Sequence, residues 1–489
     1  MSEAPAARKS TILAIACLGQ FMVILDVAIV TVALPAMRAD LGFSATGLQW
    51  VVNAYTLTFA GFLLLGGRAA DLFGRRRVFI AGLALFTVAS LVCGLAPGPE
   101  TLVAARAVQG LGAAVLSPAT LTILTTTFTE PAERARALGI WSAALASGGA
   151  TGALLGGVLT DTLSWRWIFL VNVPVGIVGI VAARAVLAER RGEGTRSLDV
   201  AGALLVTASL TALVYGLVRT DVVGWGSPET AAALIVAAVL MIAFLVVETR
   251  VASSPLVPLG LLRRPALAGA NLSMLCVGGS MFAMWYFASL YLQGVLGESP
   301  LRAGLAFLPA SIAVIAGAQA AARLVQRLGP RRVLVVAPLI IAVGLAWMSQ
   351  VSADGAYATD ILGPIVVAAF GLGLSFPPAT YAATAGVAPR DAGLASGLVN
   401  ATRQIGGAVG LATLATIAVH QTTTSLAAGH GVAESLTSGY GRAFLVGAGI
   451  AVAASLSALL IPAAPRAATS ERPARAPDPA APDPGPPRR

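Results

Sequence analysis

The sequence predicts an all-α integral membrane protein with fourteen transmembrane helices, and three observations lead to that class. The mean hydropathy is +0.83, and charged residues make up 11% of the chain, against about 25% in an average soluble domain. Apolar runs long enough to cross a bilayer as helices, roughly 18 residues or more, follow one another along the chain. Basic residues fall mostly on one side of the membrane that these runs define.

The predicted spans come in a regular succession of apolar runs separated by short polar segments. Each run is read as one helix because it reaches bilayer length with few or no charges. The spans are residues 12–35, 48–68, 78–97, 101–125, 137–160, 167–187, 199–218, 230–248, 266–291, 303–323, 332–350, 360–381, 393–418 and 441–462.

Charge placement predicts the orientation. With the N-terminus in the cytoplasm, most of the 32 lysines and arginines lie on the cytoplasmic side, as the positive-inside rule requires. The loop 75–77 (three arginines) and the pair Arg331 and Arg332 are examples. We therefore expect a multi-pass protein of the cell membrane with both termini cytoplasmic. The net charge of +10 is then explained by the basic cytoplasmic loops. The lipid bilayer is an expected partner, and a nucleic acid is not.

Asp26 is the one carboxylate deep inside a predicted span. An ionised aspartate at mid-membrane costs at least ~2.5–3.5 kcal/mol on insertion scales, so such residues usually face a bundle interior or an aqueous path. Burial favours the neutral form of the carboxyl, and a nearby guanidinium favours the charged form. Arg106, itself within a span, is the expected partner.

The chain repeats itself at long range. Gly74–Val78 recurs as 329–333, Gly110–Gly112 as 371–373, and Gly148–Gly152 as 406–410. The copies lie an even number of spans apart, so the two halves have the same orientation, with a substrate site expected between them near the midplane. This predicts a tail at 1–11, six-helix halves at 12–187 and 266–464, a linker with two extra helices at 188–265, and a disordered Pro- and Ala-rich tail at 465–489.

Several ordered motifs resemble those of the major facilitator superfamily, and specifically its fourteen-helix drug:proton antiporters. They are the first-helix motif at Leu25–Pro35, the loop motif at Gly67–Arg77, the fourth-helix motif at Leu102–Gly112 and the fifth-helix antiporter motif at Gly148–Gly157. The resemblance implies two six-helix halves related by a pseudo-two-fold axis, with two helices inserted centrally. It covers almost the whole chain apart from the tails.

The resemblance, together with the polar residues inside spans, assigns candidate roles. The candidates for proton coupling are Asp26 and Arg106. The candidates for a cytoplasmic gate are Asp71, Gly74, Arg75 and Arg76. The antiporter motif comprises Gly148, Gly152, Gly156 and Gly157. Candidates for substrate contact or coupling are Gln109, Trp285, Tyr286, Arg403 and Gln404.

Each role has a purely structural alternative. Asp26 and Arg106 can form a static ion pair that closes the bundle, and Gln109 can join helices by amide hydrogen bonds. The gate arginines can anchor the loop, and the glycines can serve only close helix packing. For Arg403 the functional interpretation is that it binds an anionic substrate group, and the structural one is that it pairs with a cluster of carbonyls. Trp285 and Tyr286 can line a cavity or simply pack.

The predicted function is proton-coupled export of hydrophobic or amphiphilic small molecules, such as drugs and antibiotics, by alternating access. The alternatives are transport of a physiological metabolite or lipid on the same fold, and a non-transporting membrane scaffold or sensor. We expect a monomer that is not an enzyme and that uses the proton gradient without a cofactor, because no GxxxxGK[ST] phosphate loop is present. No metal-ligand pattern is present either. The deep charges predict lipophilic monocations or neutral amphiphiles as substrates, with dications handled poorly.

Overall fold

The computed structural model describes residues 6–189, 198–252, 255–257, 260, 263–387 and 392–462, and these residues form helices and short connections without strands. The helices are α1 (Ala6–Leu41), α2 (Trp50–Phe73), α3 (Arg75–Gly94), α4 (Pro99–Thr127), α5 (Pro131–Thr162), α6 (Trp167–Leu170), α7 (Asn172–Val186), α8 (Val200–Val223), α9 (Pro228–Val246), α10 (Pro265–Gly294), α11 (Pro300–Ala306), α12 (Leu308–Leu328), α13 (Pro330–Met348), α14 (Leu362–Thr384), α15 (Ala392–Ala427) and α16 (Val432–Ala458).

The all-helical membrane fold is confirmed. Within the described residues, thirteen helices are long and apolar enough to cross a membrane. The remaining predicted span, 137–160, lies in α5, a helix of 32 residues whose sequence is rich in Gly, Ala, Ser and Thr. It packs on the central part of α1, where glycines allow the two backbones to approach closely.

The predicted boundaries differ from the structure most clearly in two places. The apolar run of α1 ends at Pro35, yet the helix continues to Leu41. Pro35 has no N–H to donate to the carbonyl four residues earlier, and the hydroxyl of Ser289 donates to that Thr31 carbonyl instead, at 2.9 Å. The segment 418–440, predicted as a loop, is mostly helical because α15 and α16 extend beyond their apolar parts.

The two halves repeat one packing pattern. In the first half α1 packs on α5, and α4 packs on α2 and α3. In the second half α10 packs on α15, and α14 packs on α12 and α13. Small residues lie at the α1–α5 contact and at the α10–α15 contact. Gly152 of α5 faces α1, and Gly410 of α15 faces Gly279 of α10. The internal repeat in the sequence therefore corresponds to a repeated helix arrangement.

The inserted helices α8 and α9 lie at the seam between the halves. Helix α8 packs against α2 of the first half and α15 of the second. The Thr416 hydroxyl of α15 donates to the Leu217 carbonyl of α8 at 3.2 Å, and Gly61 of α2 lies beside the side chain of Thr207. Helix α9 packs mainly on α8 and leaves large apolar side chains exposed along its length, including Ile235, Val239 and Ile242.

Hydrogen bonds join the halves at one end of the bundle. We call the end at which α1 begins the terminal end and the opposite end the distal end. In the described residues, the hydrogen bonds between the halves lie in the distal part: Ser289 donates to the Thr31 carbonyl, and the Gln293 amide donates to the Val32 carbonyl, both at 2.9 Å. Helix α5 crosses α11 there, with Gly157 against Pro300. The distal end is thus closed. Helices α2 and α15 also pack together across the halves, with Leu64 beside Gly397, so the contact between the halves extends toward the terminal end.

Candidate functional site

Asp26, Arg106 and Gln109 form one buried polar network. Arg106 Nη1 lies 2.5 Å from Asp26 Oδ2 and donates to Gln109 Oε1 at 2.7 Å. Gln109 Nε2 donates to Asp26 Oδ1 at 2.7 Å. Both carboxylate oxygens of Asp26 therefore accept a hydrogen bond, and its side chain has no exposure to solvent. The geometry is suited to the ionised form of the carboxyl, which accepts at both oxygens.

The remaining groups around Arg106 fix its position. Its Nε donates to the Val51 carbonyl of α2 at 2.9 Å. The ring centre of Tyr55 lies 4.3 Å from its Cζ, and that of Phe169 lies 5.7 Å away. Aromatic faces stabilise a guanidinium by cation–π attraction. The pair is consequently enclosed by side chains from α2 and α6 and is shielded from water in this conformation.

The network extends to two residues that sequence analysis did not assign to it. Gln109 Nε2 also lies 2.7 Å from Ser90 Oγ of α3, and the Asn172 amide of α7 donates to the same Ser90 oxygen at 3.4 Å. Both side chains are buried. Serine and asparagine are common in membrane helices as interhelical hydrogen-bonding groups, so only their burial beside Gln109 identifies them. Helices α1, α3, α4 and α7 thus meet at one charge pair.

The glycines of the antiporter motif lie against α1 around Asp26. A Cβ atom added at Gly152 would lie 2.8 Å from the Leu25 carbonyl oxygen, and one at Gly156 would lie 2.7 Å from the Ile29 oxygen. Gly148 faces Ile24 in the same way. Such close approach is possible only without a side chain. The motif therefore holds the backbone of α1 on both sides of Asp26 against α5.

Gly157 faces in a different direction from the other three motif glycines. A Cβ atom there would lie 2.5 Å from the Pro300 carbonyl oxygen and 2.9 Å from Leu301 Cα, both of α11. Gly304 of α11 in turn lies against the Ala153 carbonyl. The end of the motif is therefore part of the contact between the halves, at the distal end.

The candidates of the second half are apart from the Asp26 pair. Arg403 is half-buried on α15, and Gln404 is buried with its Oε1 unpartnered. Trp285 is half-buried on α10, its ring centre 5.1 Å from that of Phe307. Tyr286 is buried in the core of the second half beside Phe287. The structure therefore brings Arg403 and Trp285 to partly accessible positions and places Tyr286 among packed side chains.

The loop between α2 and α3 lies at the terminal end. Gly74 has φ +97°, a conformation that favours glycine, and it allows α3 to begin directly at Arg75. Arg76 Nη2 donates to the Arg184 carbonyl at 2.9 Å, and Arg75 Nε is buried without a partner. The side chain of Asp71 lies outside the described part of the structure.

The comparisons with known proteins agree on the family. Residues 16–411 match the Major Facilitator Superfamily. The chain is 48% identical to the cephamycin export protein CmcT of Amycolatopsis lactamdurans, covering 86% of this chain and 87% of that protein. It is 41% identical to the puromycin resistance protein pur8 of Streptomyces alboniger, covering 87% and 85%. It is 35% identical to the tetracenomycin C resistance and export protein of Streptomyces glaucescens, covering 83% and 74%.

Solved structures support the same fold. A bacterial homologue of the lysosomal transporter Spinster, in an inward-facing conformation, superposes with a TM-score of 0.64 at 17% identity, covering 94% of this chain and 98% of that one. The nucleoside transporter NupG gives a TM-score of 0.67 at 10% identity, with coverage of 93% and 99%. With the buried charge pair, the repeated halves and the family match together, the chain belongs to the Major Facilitator Superfamily and is a multi-pass membrane transporter of small molecules.

Proposed function

We propose that the protein is a proton-coupled antiporter that exports hydrophobic or amphiphilic small molecules, antibiotics among them, across the cell membrane. The observation that carries the proposal is the buried pair of Asp26 and Arg106, because a titratable carboxyl in the membrane interior is costly and marks a proton or ion path. The names of the relatives, a cephamycin exporter and a puromycin resistance protein, support export of antibiotics.

Orientation supports the direction of transport. The arginine clusters 75–77 and 331–332, at the starts of α3 and α13, lie at the terminal end with both ends of the described chain, and basic clusters mark the cytoplasmic side. The distal end is then extracellular, and a structure closed there faces inward. An ionised Asp26 held by Arg106 suits an inward-facing state that has released its proton.

The proposed cycle follows from what protonation does to the pair. A neutral Asp26 loses the Coulomb attraction to Arg106 and can no longer accept from two donors without cost. The contact between α1 and α4 is then weakened, which favours the alternative arrangement of the halves. Protonation from outside and release inside would thus be tied to movement of the halves, and the outward step would carry the substrate. No nucleotide or metal takes part in this scheme.

The proposal predicts export that depends on the proton gradient. Cells expressing the protein should keep a neutral fluorescent amphiphile such as Nile red at a lower internal level than control cells. A protonophore should abolish the difference, because the driving force is the gradient. Depletion of ATP in cells whose proton gradient is maintained should leave export intact. Export that persists with the protonophore would contradict proton coupling.

The gate residues give a second expected result. We propose that Asp71, Gly74, Arg75 and Arg76 close the cytoplasmic end in the outward-facing state. Asp71→Asn is then expected to lower turnover several-fold without comparable loss of substrate binding, since Asp71 is near the end of α2 and remote from the midplane. Transport rates and binding titrations on the same preparation check this. Glu130→Gln, which alters an exposed acid at the same end, should change neither. A proportional fall in binding and turnover would contradict the gate role.

A further inference from the structure

Arg403 is a guanidinium in the second half with most of its hydrogen-bonding capacity unused. Its Nη2 donates to Asn400 Oδ1 at 2.9 Å, and its Nη1 lies 3.9 Å from Met281 Sδ, a weak acceptor. Its Nε is buried and has no partner. The ring centre of Phe376 lies 5.1 Å from its Cζ. None of the ion pairs found in the described residues includes Arg403.

The position of Arg403 is close to the membrane level of Asp26. Helices α1 and α10 run in the same direction and are joined where Ser289 meets Thr31. Met281, beside Arg403, is eight residues before Ser289, about 12 Å along a helix, whereas Asp26 is five residues before Thr31, about 7.5 Å. The two sites therefore differ in depth by only about 4–5 Å. Arg403 is half-buried as a residue, although its unpartnered Nε is enclosed.

The deep charges of the two halves are unequal. Asp26 is neutralised by Arg106, and both of its oxygens are occupied by donors. Arg403 adds a positive charge for which the described residues supply no counter-ion. A cation at this depth is costly without a partner, and a planar guanidinium with free donors matches the two oxygens of a carboxylate. The apolar neighbours Phe376 and Met281 are suited to a hydrophobic group attached to that carboxylate.

We propose that Arg403 binds a carboxylate group of the transported amphiphile, with Phe376 and Met281 contacting the adjoining apolar part. The inference rests on the proposed export function and specifies its substrate class. It reverses the preference for monocations that the sequence predicts. That expectation required Asp26 to be available as a counter-ion, and the structure shows Asp26 closed off by Arg106 and Gln109.

Three fluorophores of the same hydrophobic body test the proposal: pyrenebutyrate, neutral pyrenebutanol and cationic pyrenebutylamine. Each is titrated against the purified full chain in nanodiscs, without a proton gradient. We expect the wild type to bind pyrenebutyrate about tenfold more tightly than the alcohol, or ~1.4 kcal/mol, and the amine most weakly. Arg403→Gln should remove this preference while binding of the alcohol stays within about twofold, a shift below ~0.5 kcal/mol.

Two further variants keep the result interpretable. Arg403→Lys preserves the charge but not the planar fork, so it should retain part of the preference. Arg302→Gln changes an exposed arginine that pairs with Glu298 and should behave as the wild type. If Arg403→Gln does not fold, a preference that is reduced but not lost in the Lys variant carries the test.

Three outcomes would overturn the carboxylate site. They are equal binding of the three probes by the wild type, an unchanged preference in Arg403→Gln, and complete loss of the preference when chloride is raised, which would identify a site for inorganic anions only. Export itself is measured separately through its sensitivity to the protonophore. A proton-driven exporter that ignores the probe charge would refute the carboxylate site and leave the proposed function standing.

Discussion

Asp26→Asn is expected to abolish proton-driven export while substrate binding is retained. The amide cannot carry the transferred proton, and it can accept from Arg106 or Gln109 through only one oxygen. Gradient-driven accumulation of the exported compound in proteoliposomes should therefore fall to the level of liposomes without protein. Downhill exchange of substrate does not need the proton and should be less affected. The rate of accumulation after an imposed pH gradient measures the effect.

Stability needs its own control, because the variant leaves Arg106 as a buried cation without its partner. Breaking a buried pair in this way costs about 3–5 kcal/mol. Removing both charges with Asp26→Asn and Arg106→Gln should recover much of that loss without restoring export. Asp161→Asn, which changes an exposed carboxyl on α5, should leave both properties as in the wild type. Accumulation by the Asp26→Asn variant at the wild-type rate would refute the role of Asp26.

The class of the fold was predictable because hydropathy acts locally. Each apolar run forms a helix whose backbone hydrogen bonds are internal, and this holds whatever the neighbouring helices do. The contact between α5 and α1 was not predictable in this way, because it exists only in three dimensions. The boundary at Pro35 failed for a related reason: the carbonyl that Pro35 leaves free is satisfied by Ser289, which is 258 residues away from Thr31 in the chain.

The candidate site was predictable in its charged members and less so in its neutral ones. Asp26 and Arg106 are the charges deep inside predicted spans of the first half and had few possible partners, and the structure pairs them. Gln109 was found by its place in a motif, whereas Ser90 and Asn172 gave no distinguishing signal. The free guanidinium of Arg403 likewise required the structure, because only contacts show which of several deep charges is already neutralised.

Gly157→Leu is expected to block transport by preventing closure of the distal end. A side chain at this position meets the backbone of α11, with the Pro300 oxygen 2.5 Å from the new Cβ. Relief requires α5 and α11 to separate, and overpacking of this kind typically costs about 1–3 kcal/mol. A bias of that size lowers the ratio of distal-closed to distal-open molecules about 5–150-fold. Since each cycle must pass through that state, turnover should fall in proportion.

Opening of the distal end can be measured directly with Ser289→Cys as a reporter. Ser289 is fully buried at the distal contact, so a membrane-impermeant maleimide added outside should label the introduced thiol slowly in the parent protein and much faster with Gly157→Leu. Labelling of a protein with only its native cysteines gives the background. The matched control is Gly139→Leu, at an exposed position of the same helix outside the motif, where no atom lies within 4 Å of the added Cβ. Both transport and labelling should stay unchanged.

The same experiment distinguishes two roles of the glycine motif, packing within one half and contact between the halves. Gly148, Gly152 and Gly156 hold α1 against α5 within one half, so enlarging them should impair folding rather than shift the conformation. Gly157 contacts the other half, so its enlargement should leave the half intact and change only which end is open. Gly157→Ala should give a smaller effect in the same direction, because the added side chain is shorter. Wild-type transport and slow labelling in Gly157→Leu would show that α5 and α11 need not touch during the cycle.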